Sequence, residues 1–522
     1  MTTSRRDLLS GMLGFCVATA VARPLAHAEE NSALRLGEPQ QFAPDMVREQ
    51  ARALAAEPFG SFDGAVPEVL AGLNYDQHRD IRFRRDAALW HDLGLDAEVQ
   101  FFHLGYRFRT PVHVYEVADG MAREVLYTPS AFDFGENGFT PDFPDDLGFA
   151  GFRLHAPLNR PDHLDELAVF LGASYFRAVG RGQRYGLSAR GIAIDTGLPK
   201  EEEFPSFRAF WLERPAQSGG QVVAHALLDG PSLTGAYTFR IQPGDATTMD
   251  VDVTLFPREA IELLGIAPLT SMFAFGPHDR QGVDDFRPQV HDSEGLQIWS
   301  GSGEWSWRPL VNPDKELRLS LFSNIDPKGF GLMQRTRDFA AYQDLEARYD
   351  LRPSLWVEPL EAWGRGHIRL IEIPSPAEVH DNIVAFWVPK EPVEAGSEWR
   401  FKYRLHWCLQ APFQPQLARA AATRVGTGGL PGEKSDGDRR KFVIDFEGGQ
   451  LKDTPADAPV EAVVGVAGGA VTEPIARKNE VTGGWRAFFD LQPDGSEPVE
   501  MRCQLQLADK PLSEAWVYQW TL

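Results

Sequence analysis

The chain has 522 residues, enough for two or three domains, since one hydrophobic core stops growing near about 250–300 residues. Apolar residues make up 43% and aromatic residues 11%, which excludes a disordered or fibrous chain. The formal net charge of −22 repels nucleic acid and anionic lipid and excludes both as partners. A neutral partner such as a sugar polymer meets no such barrier, and simple solubility explains the acidity equally well.

The first predicted element is an export signal over residues 1–28. Ser4-Arg5-Arg6-Asp7-Leu8-Leu9 is followed by an apolar run from Gly11 to Ala22 and then Ala26-His27-Ala28. A basic head, a short apolar middle and an A-x-A exit make a signal peptide, and the run is shorter than the ~20 residues a membrane span needs. The paired arginines, weak apolar middle and Arg23 fit the twin-arginine export machinery better than an ordinary secretory leader. Cleavage after Ala28 leaves 52 − 3 = 49 basic and 74 − 1 = 73 acidic residues, a net of −24. No later segment is long and apolar enough for stable membrane insertion, so a soluble periplasmic protein is expected. Cys16 falls in the leader. Cys408 and Cys503 remain, either as one bridge or as two buried thiols, and the apolar strand pattern around Cys408 favours thiols.

A helix is predicted from Asp45 to Ala56, ending before Pro58. Strands follow. Val112 to Val117 and Glu124 to Tyr127 flank Asp119-Gly120, a hairpin with a type I′ turn. Gln221 to Leu228 runs into Asp229-Gly230 and is followed by Ala236 to Ile241. Thr248 to Phe256, Leu317 to Phe322 and Glu398 to Cys408 alternate or read as strands. Short strands punctuated by Gly, Pro and Asp indicate an all-β, antiparallel architecture. No strand–helix rhythm points to a parallel α/β fold. Residues Gln410 to Arg440 lose the strand pattern, and Gly426 to Gly437 reads as an exposed loop open to proteolysis. Strands resume at Lys441 to Phe446 and end with Trp516 to Leu522. The expected division is therefore a large β-sandwich over 29–410 and, after a linker, a small one within 411–522.

The usual catalytic patterns are absent: there is no H-E-x-x-H, G-x-S-x-G or P-loop, and the histidines lack metal-ligand spacing. No metal or cofactor is expected. Eight of the thirteen tryptophans lie between Trp299 and Trp407. Indole faces stack on pyranose rings, but tryptophan also fills sandwich cores. Trp299, Trp305 and Trp307 sit among glycines and serines, which points to a loop and makes Trp299 and Trp307 candidate sugar platforms. Glycosidic hydrolysis needs an acid for the leaving oxygen and a base for water. Two segments place an aspartate after a histidine beside a strand: Arg287 to Gly295, with His291-Asp292, and Pro376 to Asn382, with His380-Asp381. From spacing alone, turn aspartates capping backbone amides explain both.

These segments carry a resemblance. Together with Phe170 to Arg177, Tyr185 to Gly191, Gly329 to Arg335, Tyr349 to Pro359 and Asp381 to Pro389, they make the sequence resemble the OpgG/OpgD periplasmic glucan biosynthesis proteins over essentially the whole mature chain. The twin-arginine leader points to the D branch. The resemblance implies a mutarotase-like N-terminal sandwich and an immunoglobulin-like C-terminal one. It implies a role in setting the backbone of osmoregulated periplasmic β-1,2-glucans, in a family that includes inverting endo-β-1,2-glucanases. By motif match it implies Asp381 as general acid and Asp292 as general base, the base acting through a chain of hydroxyl and water. Glu378, Tyr349 and Arg352 fall on cleft positions. A non-catalytic glucan-binding escort is the alternative function, and a sugar epimerase is suggested by fold analogy alone.

Overall fold

A computed structural model describes residues 34–60, 66–139, 141–215, 221–429 and 439–521. The expected leader, Cys16 and most of the expected Gly426–Gly437 loop lie outside the described residues. The predicted helix is Pro44–Ala55, with Pro44 in its first turn, Asp45 near its positive end and Arg52 near its negative end. It buries Val47 and Ala51 against Ala209, Leu227 and Phe256. The remaining long elements are strands. The first hairpin pairs His113–Ala118 with Met121–Leu126, and Asp119 and Gly120 both take positive φ (52° and 73°), as a type I′ turn requires.

Two large sheets face each other. The first runs, in spatial order, through Met121–Leu126, His113–Ala118, Ser206–Glu213, Val222–Asp229, Leu233–Gln242, Thr247–Pro257, Trp399–Cys408, Ser354–Pro359, Gly329–Met333, Gly295–Trp299 and Trp305–Pro309. The second runs through Arg318–Ile325, Arg365–Glu372, Ile383–Pro389, Leu264–Ser271, Ser188–Arg190, Tyr175–Ala178, Asp165–Leu171, Gly151–Ala156 and Glu98–Phe102. Alternation along Thr247–Pro257 sends Met249, Val251, Val253 and Leu255 inward, where they join Phe170, Phe176, Phe210 and Phe239 in the main core.

The first sheet does not stop at the second sandwich. Ser306 and Trp307 pair in parallel with Ala515 and Trp516, so the sheet continues into Ala515–Trp520, Val499–Leu507 and Glu461–Ala467. That extension packs on a five-stranded sheet formed by Arg419–Thr427, Arg440–Glu447, Trp485–Pro493, Gly469–Val471 and Ile475–Lys478. The C-terminal core is therefore not self-contained. It takes Trp305, Trp307, Val311, Met333 and Trp356 from before residue 410.

Two sequence expectations need correction. The loop expected around Trp299 to Trp307 is a tight hairpin, with Trp299 and Trp305 paired across it. Only residues 300–304 form its turn, and the Gly and Ser content belongs there. The strand pattern expected to be lost from Gln410 to Arg440 resumes at Arg419 and runs to Thr427, pairing with Arg440–Glu447 across the whole length.

Cys408 lies opposite Ser354 in the main sheet, whereas Cys503 lies opposite Val464 in the C-terminal one. Both are free and buried, and burial pushes each thiol up to about 12. Almost no thiolate then exists at pH 8, and reactivity requires thiolate. A thiol-specific reagent is expected to leave the native protein unlabelled and to modify both residues once denaturant is added. Reductant should leave the melting temperature unchanged. Rapid labelling of the native chain, or a drop in melting temperature with reductant, contradicts this.

Candidate active site

One short stretch of backbone, Ser271 to Phe273, organises the site. Leu264–Ser271 is a central, fully buried strand of the second sheet, and it pairs with Ile383–Pro389. The carbonyl of Ser271 accepts the N–H of Asn382 at 3.0 Å. The Asn382 side chain closes a loop on Phe273, accepting its N–H at 2.8 Å and donating to its carbonyl at 2.9 Å. Asn382 is 1% exposed and also donates to the Ile373 carbonyl. It therefore fixes the start of strand Ile383–Pro389, and Asp381 is the residue immediately before it.

The other aspartate arrives at the same stretch from a different direction. Val290–His291 pairs with Phe273–Phe275, and the Asp292 N–H donates to the Met272 carbonyl at 2.8 Å. The hydroxyl of Ser271 donates to that of Ser293 at 2.8 Å, tying the two sides together. Two segments 89 positions apart in sequence, at 292 and 381, thus meet across three residues of backbone.

Their surroundings differ. Asp292 is 1% exposed and forms a buried ion pair with Arg352. Asp292 therefore does not lie in an open turn: its carboxylate faces a guanidinium rather than solvent. Arg352 also lies over the Tyr349 ring, 4.3 Å from the centroid, and donates to the Ala347 carbonyl at 3.2 Å. Burial above all keeps the Tyr349 phenol well above its ordinary range, so it stays a neutral hydroxyl. Asp381 is half-buried. It lies within electrostatic reach of Arg190, a fully buried guanidinium bonded to Glu202 at 2.6 Å and to Thr270 at 3.0 Å. Burial works against the charge of Arg190, but Tyr175, Glu202 and Asp381 together outweigh it and raise its pKa.

Glu378 is tied in by Arg287, whose guanidinium reaches Glu378 at 2.8 Å, Asp344 at 2.9 Å and Asp285 at 2.7 Å. Burial would raise the Asp344 carboxyl, yet the N–H groups of Ala347 and Glu346 together with Arg287 hold it below the usual range. Asp344 thereby anchors the turn that leads into Tyr349–Leu351. The charges of Asp292 and Glu378 are both felt at Tyr349. The structure thus gathers Asp292, Arg352, Tyr349 and Glu378 into one cluster, with Asp381 tied to Ser271–Phe273 through the neighbouring Asn382.

It does not bring the two tryptophans there. Trp307 is 3% exposed in the C-terminal core, and its face is covered by the Arg335 guanidinium, 3.6 Å from the ring centroid. Trp299 stacks on Trp305 at 4.8 Å, abuts Phe413 and lies under Lys328. These contacts are packing, so neither indole offers a free face to a sugar.

Residues not chosen as site candidates from the sequence complete the wall. His291 is buried, stacks on Phe273, and pairs through Nδ1 with Gln334 Oε1 at 2.7 Å. Gln334 Nε2 donates to the Tyr349 carbonyl at 2.6 Å, so His291 Nδ1 carries the proton. Burial lowers the His291 pKa and keeps the ring neutral. Its Nε2 has no hydrogen-bond partner among the described residues. His291, Gln334, Arg287 and Asn382 all lie inside the quoted motifs, but their roles depend on contacts across the fold. Among the described residues, no three His, Cys, Asp or Glu side chains are grouped to hold a metal ion, and no helix is long and apolar enough to cross a membrane.

Residues 42–520 match the family model described as "Periplasmic glucan biosynthesis protein, MdoG". The chain belongs to this family. It is 49% identical over 519 residues to "Glucans biosynthesis protein G" of Bradyrhizobium diazoefficiens, covering 99% of this chain and 100% of the relative. It is 51% identical to the protein of that name from Rhodopseudomonas palustris strain BisA53, covering 93% and 94%. It is 48% identical to "Glucans biosynthesis protein D" of Xanthomonas campestris pv. campestris, covering 93% and 92%. Identities of 51% and 48% to the two names do not separate the G and D branches.

Proposed function

We propose that this family member is an inverting endo-β-1,2-glucanase that trims the backbone of periplasmic glucans, with Asp381 as general acid and Asp292 as general base. The observation that carries the reading is the convergence of the two aspartates on Ser271–Phe273 from unlike environments. A single-displacement hydrolysis needs one carboxyl that gives a proton and one carboxylate that takes one. Asp381 is half-buried, and it is the carboxyl that would give its proton to the leaving glycosidic oxygen. Asp292 is ion-paired and sealed, so it fits a base that draws its proton through an intervening hydroxyl or water rather than by touching the nucleophile. Arg352 orients Asp292, and the neutral hydroxyl of Tyr349 and the carboxylate of Glu378 offer hydrogen bonds to sugar hydroxyls. The chain is proposed to act in the periplasm, exported by the twin-arginine route, with the 29–410 sandwich as the glucan-binding unit and 411–522 as a second sandwich that continues one of its sheets.

The test is incubation of purified protein with linear β-1,2-glucan, followed by sizing of the products. The reading predicts a falling mean chain length from internal cuts. Binding without any cleavage would replace it with a glucan escort.

A further inference from the structure

The outer side of the Asp292 wall is held by the C-terminal sandwich. Glu514 is fully buried there and grips Arg335 with both oxygens, at 2.5 and 3.0 Å. The same carboxylate accepts the Ala420 N–H at 2.8 Å, and Arg335 donates to the Ala420 carbonyl at 2.9 Å. Arg335 is thus pinned between Trp307 and the first strand of the five-stranded sheet. Its backbone belongs to the site. The N–H groups of Arg335 and Thr336 hold Glu294, two residues after Asp292, at 3.0 and 2.9 Å, and the Glu294 N–H returns to Met333 at 2.8 Å. The residue before Arg335 is Gln334, whose side chain bridges His291 and the Tyr349 carbonyl.

We infer that Glu514 is a positioning residue for the Asp292–Tyr349 side of the cleft, acting through Arg335 and the backbone of residues 333–336. A bidentate carboxylate–guanidinium pair fixes angle as well as distance. Buried ion pairs are often replaceable by apolar side chains without loss of stability, so the role inferred for this pair is geometric. A displacement of about 1 Å in groups that position a reaction can cost up to about 10²-fold in rate. The inference rests on the hydrolytic reading of the site.

Its test uses the full mature chain in three forms: wild type, Glu514→Gln, and the double variant Arg335→Met with Glu514→Met. Steady-state hydrolysis of linear β-1,2-glucan is measured at a temperature where thermal melts show each form folded. Both variants are expected to lose about 10-fold or more in kcat, with KM within about 2-fold of wild type. The double variant has no unpaired buried charge but leaves the Ala420 N–H and carbonyl without these partners, so it should melt below wild type, stay folded at the assay temperature and still be slow. Wild-type kcat in either folded variant, or a rise in KM with kcat intact, overturns the inference while leaving the hydrolytic reading standing. A wild type that never cleaves the glucan overturns both.

Discussion

Asp381→Asn is expected to lower hydrolysis of linear β-1,2-glucan by about 10²–10⁴-fold, the usual worth of a positioned general acid. The amide keeps the shape of the carboxyl but has no acidic proton for the leaving oxygen. Folding should survive the change, because Asp381 is half-buried and the junction is held by the neighbouring Asn382 through bonds to Ser271, Phe273 and Ile373. Glucan affinity, measured by titration calorimetry, should therefore stay close to wild type while turnover disappears. Retained turnover would remove Asp381 from the acid role. Asp292→Asn is expected to lose turnover similarly, by removal of the proton acceptor.

Arg352→Met is the second large effect, and it falls on stability as well as rate. The side chains of Arg352 and Asp292 are 7% and 2% exposed. Methionine fills similar volume but leaves the Asp292 carboxylate buried without its counter-ion. Breaking one side of a buried pair costs about 3–5 kcal/mol, most of it from the charge left behind. The contact of Arg352 with the Tyr349 ring is lost as well. Denaturant unfolding should show this loss for Arg352→Met. Combining it with Asp292→Asn should recover a large part of the stability and none of the activity. Single and double variants of equal stability would show that the pair is not the buried unit described.

Much of the fold was readable because its signals are local. Asp119-Gly120 marks a type I′ turn wherever alternating strands flank it, and the Met249, Val251, Val253 and Leu255 register follows from a period of two. Long-range pairings had no such signal. Ser206–Glu213 lies parallel to His113–Ala118, and Trp307 lies parallel to Trp516, with no turn between partners to announce either. The second case matters most, because it makes the two sandwiches share a sheet. The tryptophans misled for a related reason. Gly301, Ser302 and Gly303 mark a turn, but a turn of five residues places the flanking Trp299 and Trp305 on paired strands.

The site was legible as motifs and not as a mechanism. His291-Asp292 and His380-Asp381 look alike in sequence, yet the fold treats them differently. His291 is buried against Phe273, and Asp292 is sealed by Arg352. His380 and Asp381 lie half-exposed at the mouth of a strand. Nothing in the spacing of either motif predicts that Arg352, 60 positions after Asp292, becomes its counter-ion. That contact depends on Gln334 and Arg337 holding the 347–352 turn: Gln334 bonds the Tyr349 carbonyl, and Arg337 bonds the carbonyls of Asp350 and Arg352.

The anomeric configuration of the first products distinguishes an inverting Asp381–Asp292 pair from every other arrangement of the site. Linear β-1,2-glucan is mixed with enzyme inside a proton NMR spectrometer, and the new reducing ends are followed before mutarotation scrambles them. Single displacement by a base-activated water predicts that the α-anomer appears first and the β-anomer grows in later at the uncatalysed rate. Initial release of the β-anomer, or no new reducing ends at all, would contradict the assignment of Asp381 and Asp292 as an inverting pair.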